Sequence, residues 1–129
     1  MTKRILIVDD EADIRDIVQA ALEDLGGWQT LGAASGSEAL RLAQQGAIDA
    51  ILLDISMPDM DGFEIHQVLQ QTPATQGIPV IVLTSKVLAR DRTRFADLNV
   101  AGVITKPFNP LTLAQQIAEL LRWSSPTPP

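Results

Sequence analysis

Five strand-like runs alternating with five helix-like stretches predict an α/β fold, a (βα)5 chain around a five-stranded parallel sheet. The runs are short and rich in Ile, Leu and Val, as in strands covered on both faces. Two of them lead straight into acid: Ile5-Leu6-Ile7-Val8 into Asp9 and Asp10, and Ala50-Ile51-Leu52-Leu53 into Asp54. Three carboxylates therefore reach the carboxyl edge of the sheet, where open α/β folds bind their ligands. Carboxylates so crowded repel one another unless a positive group joins them, and a hard divalent cation with oxygen ligands is the natural guest.

After the first strand, Ile14, Ile17, Val18, Ala21, Leu22 and Leu25 keep the three-and-four spacing of one helix face, and Gly26-Gly27 stops that helix. Trp28 to Ala33 is a weaker strand signal. Ser35-Gly36-Ser37-Glu38 is a capping box that opens a second helix towards Gly46. Beyond the Asp54 strand, Asp61 and Glu64 bracket a third helix start, with Ile65, Val68 and Leu69 on its apolar side and Pro73 at its end. Pro79 introduces Val80-Ile81-Val82-Leu83, a fourth buried strand closed by Thr84 and Ser85. A fourth helix is expected from Lys86 to Leu98, its apolar face thinned by Arg90, Arg92 and Arg94. Val100 to Thr105 reads as a fifth strand. Asn109 then supplies an N-cap before Pro110 at the first helical position. The closing helix should bury Leu113, Ala114, Ile117, Ala118, Leu120 and Leu121, and the crossovers should be right-handed.

With 129 residues, 46% of them hydrophobic, the chain suits one domain over 1–123, followed by a polar, proline-rich tail or linker start over 124–129. The absence of cysteine fits a reducing, cytoplasmic setting. The apolar run after Lys3-Arg4 is too short for a signal peptide or a membrane span. A formal net charge of -6 disfavours direct contact with nucleic acid, which needs a basic face.

Read together, the strand ends bring Asp9-Asp10, Asp54, Thr84-Ser85 and Lys106-Pro107-Phe108 to one edge. Here the chain resembles the response-regulator receiver family over essentially its whole length. The matching motifs are Ile-Leu-Ile-Val-Asp9-Asp10-Glu11, Leu-Leu-Asp54-Ile-Ser-Met-Pro58, Met-Asp61-Gly62, Val-Leu-Thr84-Ser85 and Thr-Lys106-Pro107-Phe108. The resemblance implies a doubly wound, flavodoxin-like (CheY-like) sheet in the order 2-1-3-4-5. It implies a phosphoacceptor of two-component phosphorelay signalling, with Asp54 taking a phosphoryl group from a phosphohistidine on a histidine kinase or histidine phosphotransfer protein. It also implies Mg²⁺, or Mn²⁺ in its place, held by Asp10, Asp54 and the backbone carbonyl of Ser56, with Asp9 acting through water. Lys106 should contact the carboxylate and then the phosphoryl oxygens, and Thr84 should hydrogen-bond the phosphoryl group. A cis Lys106-Pro107 bond is expected as well. Output should pass to a downstream protein through the face of the fourth helix, fifth strand and fifth helix, with a phosphorylation-dependent homodimer as a further expectation. No independent substrate turnover is expected.

Blander readings stand beside these. Asp9 and Asp10 could simply cap the first helix, and Thr84 could satisfy a backbone group at a strand end. Asp59 and Asp61 read as turn and cap residues, His66 as a surface residue, and Trp123 as packing at a helix end. The chain departs from the family at Val103, where an aromatic is common, so Val103 is expected to be a buried packing residue and Thr84 to carry the switch. Ser56 and Lys86 occupy positions that flank the phosphoryl group in the family. Three other functions compete. An aspartyl-phosphate phosphatase would have a second Asp at position 56. A nucleotide-binding flavodoxin-like module would not place Asp9-Asp10-Glu11 where phosphates sit. A pseudo-receiver scaffold would lack part of the acceptor, metal and lysine set. The receiver could also be the N-terminal part of a longer regulator.

Overall fold

The computed structural model describes residues 3–55, 62–84 and 100–123. Its strands are β1 (Arg4–Val8), β2 (Gln29–Ala33), β3 (Ala50–Asp54), β4 (Val80–Thr84) and β5 (Gly102–Thr105). All pairings are parallel, in the order β2-β1-β3-β4-β5. That order puts the three most apolar runs in the middle. Every residue of β3 and β4 is buried, as are Ile5 to Val8 of β1, whereas the edge strands β2 and β5 are largely half-exposed or exposed.

Strand alternation then divides the core in two. Ile5, Ile7, Leu52, Ile81, Leu83 and Ile104 pack with α1 (Ala12–Asp24) and the C-terminal helix (Leu113–Leu121). Leu6, Val8, Ile51, Leu53 and Val80 pack on the other face with α2 (Gly36–Gln44) and α3 (Gly62–Gln71). The sheet is therefore doubly wound, and the two-residue period sorts adjacent residues of one strand into separate cores. The capping box is in place, with the Ser35 hydroxyl accepting from the Glu38 N–H at 3.2 Å. Trp123 meets Trp28 edge to face at 5.3 Å between centroids, with the Lys3 ammonium 5.0 Å from the Trp123 ring.

Several expectations are corrected. His66 is buried, not on the surface: the inward face of α3 is Gly62, Ile65, His66 and Leu69, a run of i, i+3, i+4 and i+7, while Val68 is exposed. Ile17 and Leu120, expected inside, are exposed on their helices, as is Leu25, which is the C-cap residue just past the end of α1. Asn109 caps a turn and not the helix itself. Its Oδ1 accepts from the Leu111 N–H at 2.9 Å and its carbonyl from the Thr112 N–H at 3.0 Å, so the last helix begins only at Leu113. The expected helix over 86–98 lies outside the described residues.

Val103 is 37% exposed and thus not a fully buried packing residue: it lies on edge strand β5 with the opposite parity to the buried Ile104. With its side chain only partly covered, Val103→Ala should cost no more than about 1 kcal/mol in a urea titration. A loss of about 2 kcal/mol or more would mean that the side chain is fully packed.

Candidate functional site

Asp9, Asp54 and Lys106 follow the alternation of Ile5-Ile7, Leu52 and Ile104, so all three emerge on the α1 side of the sheet edge. Asp9 extends β1 by one ladder bond, its N–H donating to the Ala33 carbonyl at 3.0 Å. Its Oδ1 accepts from the Glu11 N–H at 2.9 Å, which turns the chain into α1. Asp9 therefore does part of the work of a cap, although Glu11 is the N-cap residue and makes no side-chain cap bond. Asp10 and Glu11 are left exposed on the turn.

Asp54 ends β3 opposite Leu83 of β4 and is only 1% exposed. Gly62 at the start of α3 presses on the next residue. A Cβ at Gly62 would lie 2.6 Å from the Ile55 Cα, so any larger side chain would push on the segment that carries Asp54. Lys106 closes the site from β5, tied by its N–H to the Thr84 carbonyl at 2.7 Å. Its ammonium reaches Asp54 Oδ2 at 3.2 Å and Asp9 Oδ2 at 3.3 Å. The Lys106-Pro107 bond is cis, as expected. Thr84 is buried at the end of β4, on the strand parity of Val80, not that of Leu83.

The electrostatics follow from burial. Burial lifts the Asp9 carboxyl above its ordinary value of 3.8. The Glu11 N–H opposes that rise, the Asp54 charge adds to it, and Lys106 opposes it again. Burial alone would lower Lys106, but the charge and hydrogen bond of Asp54, then those of Asp9, outweigh it and hold the ammonium above 10.5. Lysine is thus charged throughout the neutral range.

Carboxylate oxygens of Asp9, Asp10, Glu11 and Asp54 all lie within 4.8 Å of one another, two of these residues buried and two open to solvent. An all-oxygen, acid-rich set with an open side fits a hard cation that keeps part of its water. The structure thus brings together Asp9, Asp10, Asp54 and Lys106. Ser56, with Asp59, Asp61, Ser85 and Lys86, lies outside the described residues. Glu11 joins this group although the sequence marks it as no metal ligand. The signal was present in three consecutive acids, since a tight turn after a strand cannot carry its third acid far.

A family model described as the response regulator receiver domain matches residues 5–118. The regulatory protein VanRc of Enterococcus gallinarum is 36% identical over 122 residues, covering 95% of this chain and 51% of its own. The phosphate regulon transcriptional regulatory protein PhoB of Escherichia coli is 36% identical over 126 residues, covering 98% and 55%. The chain thus spans about half the length of the curated relatives it matches. Among solved structures, the chemotaxis protein CheY4 of Vibrio cholerae superposes with a TM-score of 0.85 at 32% identity, covering 93% of this chain and 99% of that one. The receiver domain of the sensor histidine kinase PA1611 from Pseudomonas aeruginosa, with a magnesium ion coordinated in its active-site cleft, gives 0.80 at 30% identity, covering 95% and 98%.

Proposed function

The chain belongs to the response regulator receiver domain family, and from that premise we propose that it accepts a phosphoryl group on Asp54 from a partner's phosphohistidine and thereby switches a protein-binding surface. The observation that carries this reading is the Lys106 ammonium set between Asp9 and Asp54, two carboxylates that are each 1% exposed, at the open edge of the sheet. A carboxylate is a weak nucleophile, but phosphoryl transfer asks chiefly for alignment and charge neutralisation. Asp54 is aligned by its place at the end of a fully buried strand. One of its oxygens forms the new bond to phosphorus as the bond to the histidine nitrogen breaks, and that electron pair returns to the imidazole. The Lys106 ammonium follows the phosphoryl oxygens as they gain charge. Thr84 then donates its hydroxyl hydrogen to one of them.

The acid set fits Mg²⁺, with Mn²⁺ as a substitute, which would be held by Asp10, Asp54 and the Ser56 carbonyl, with Asp9 acting through water. When bound, the ion neutralises phosphoryl oxygens that the acids would otherwise repel. The similar PA1611 receiver carries a magnesium ion in its active-site cleft, which supports a metal at this edge of the sheet. Glu11 lies close enough to join it through solvent. An apolar shelf of Ile14, Ile17, Pro107, Phe108 and Pro110 flanks Lys106 and suits the approach of the partner that carries the phosphohistidine. Output would leave by protein contact on the face that includes β5 and the C-terminal helix, through a downstream target or a second phosphorylated copy. The PhoB relatives are transcriptional regulators about twice as long, so DNA contact there need not involve this acidic domain. The chain turns over no independent substrate on this reading. No helix among the described residues is long and apolar enough to cross a membrane, and a cytoplasmic location fits the proposed partners.

Incubation with acetyl phosphate and Mg²⁺ should add one phosphoryl group by intact-mass measurement, and Asp54→Asn should add none. A pseudo-receiver scaffold would show no adduct in either protein. A phosphatase would instead turn over added phosphoester without accumulating the adduct.

A further inference from the structure

We propose that Arg15 is a positioning residue for the acidic site, acting through the backbone of Asp9; this rests on the reading of that site as a Mg²⁺-assisted phosphoacceptor. Arg15 lies one turn into α1, half-buried, and its Nη1 donates to the Asp9 carbonyl at 2.8 Å. Every other polar group of Asp9 also has a partner: its N–H holds Ala33, Oδ1 holds the Glu11 N–H, and Oδ2 meets Lys106. The carbonyl that Arg15 holds shares a planar peptide unit with the Asp10 N–H. Fixing that plane fixes where the Asp10 Cα leaves the strand. The Asp10 carboxylate is exposed, so its placement depends on the backbone beneath it.

A surface arginine that merely bridges to a nearby carbonyl would need no lane prepared for it. Here the edge strand provides one. A Cβ on Gly32 of β2 would lie 2.9 Å from the Arg15 Cδ and 3.2 Å from its Nε, so glycine leaves the space through which the side chain passes. Gln19 and Glu23, four and eight residues further along α1, continue the same line. Gln19 Nε2 donates to the Thr30 hydroxyl at 3.2 Å, and that hydroxyl donates to Glu23 at 2.6 Å. A polar rail thus runs along β2 and ends on the acid-bearing turn. Arginine suits its end because it stays charged and its fork is planar, so it brings a fixed cation behind the crowded carboxylates.

The test is a calorimetric Mg²⁺ titration of the wild type, Arg15→Gln, Arg15→Lys and Gly32→Ala, with melting curves in chelator. Removing a residue that orients metal ligands typically weakens binding about tenfold or more, the loss expected for Arg15→Gln. Gly32→Ala should weaken binding similarly with the arginine still present, and Arg15→Lys should recover part of it. In acetyl phosphate reactions, the Mg²⁺ needed for half-maximal phosphorylation should rise while the rate at saturating Mg²⁺ stays near wild type. A lowered melting temperature with unchanged Mg²⁺ affinity in Arg15→Gln would make the residue structural only and overturn the inference. A wild type that neither binds Mg²⁺ nor is phosphorylated would overturn the site reading itself, a distinct result.

Discussion

Replacing Lys106 with methionine should destabilise the protein in chelator by about 3 kcal/mol or more, the scale on which breaking one side of a buried ion pair acts. Methionine keeps most of the stem volume, so the change isolates the charge. What remains is Asp9 and Asp54, each 1% exposed, facing each other without the ammonium that now reaches both. Asp9 can relieve the strain only by taking up a proton, and burial already inclines it that way. The loss should therefore be larger in mildly alkaline than in mildly acidic buffer. In the wild type the lysine's own contribution has the opposite limit. Its raised pKa makes that stability fully present below 10.5 and lost as pH rises through the folded value. Urea unfolding at two pH values checks this, and adding Asp54→Asn to Lys106→Met should restore much of the stability. A loss below about 1 kcal/mol in alkaline buffer would show that water already screens the acids.

The site was legible in the sequence because strand ends carry their own address. A run as short as Ile51-Leu52-Leu53 reads as a buried strand by its length and its alternation with helix-like stretches, and whatever follows it appears at the edge. Two-residue alternation then sets Asp9, Asp54 and Lys106 on one side, a relation fixed by counting along three separate strands. The sheet order was different in kind. Nothing local in Trp28 to Ala33 states that it pairs beside β1 at the sheet's edge, and the order 2-1-3-4-5 came with the resemblance.

The misses share a cause: apolarity tells which residues prefer burial but not which face of an element finds a partner. On α3, Val68 and His66 are two positions apart, and a modest rotation about the helix axis decides which one goes inside. Val103 looks like core in a strand-shaped run, yet on an edge strand it is only partly covered. Asn109 shows the limit of cap signals, since an Asx turn ahead of the helix satisfies the same preference as the cap itself. Arg15 was invisible as a site residue for a related reason. Its role depends on Gly32, which comes near it only once β2 lies beside β1.

Asp9→Asn should raise the melting temperature in chelator by about 4 °C, the shift that about 1 kcal/mol produces in a domain of this size. Asparagine keeps an oxygen for the Glu11 N–H but removes one of two buried negative charges, leaving Lys106 to Asp54 alone. The sign of the pH effect follows from Asp9's raised pKa. Between 3.8 and its higher folded value the folded state holds more proton than the unfolded chain, so this contribution is fully present below 3.8 and is lost as pH rises through the folded value. The wild type should therefore lose stability across that window, and Asp9→Asn should lack that component of the slope. Mg²⁺ should work in the opposite direction: it binds the folded acids, so a concentration ten times its dissociation constant should stabilise the wild type by about 1.4 kcal/mol. The gain should be smaller in Asp9→Asn, which has less repulsion to relieve. Thermal melts over a pH series, with and without Mg²⁺, measure all of these quantities. If Asp9→Asn melts lower than wild type at every pH, Asp9 serves mainly to turn the chain into α1, and the crowding of acids that makes this edge receptive to a cation is not what sets its energy.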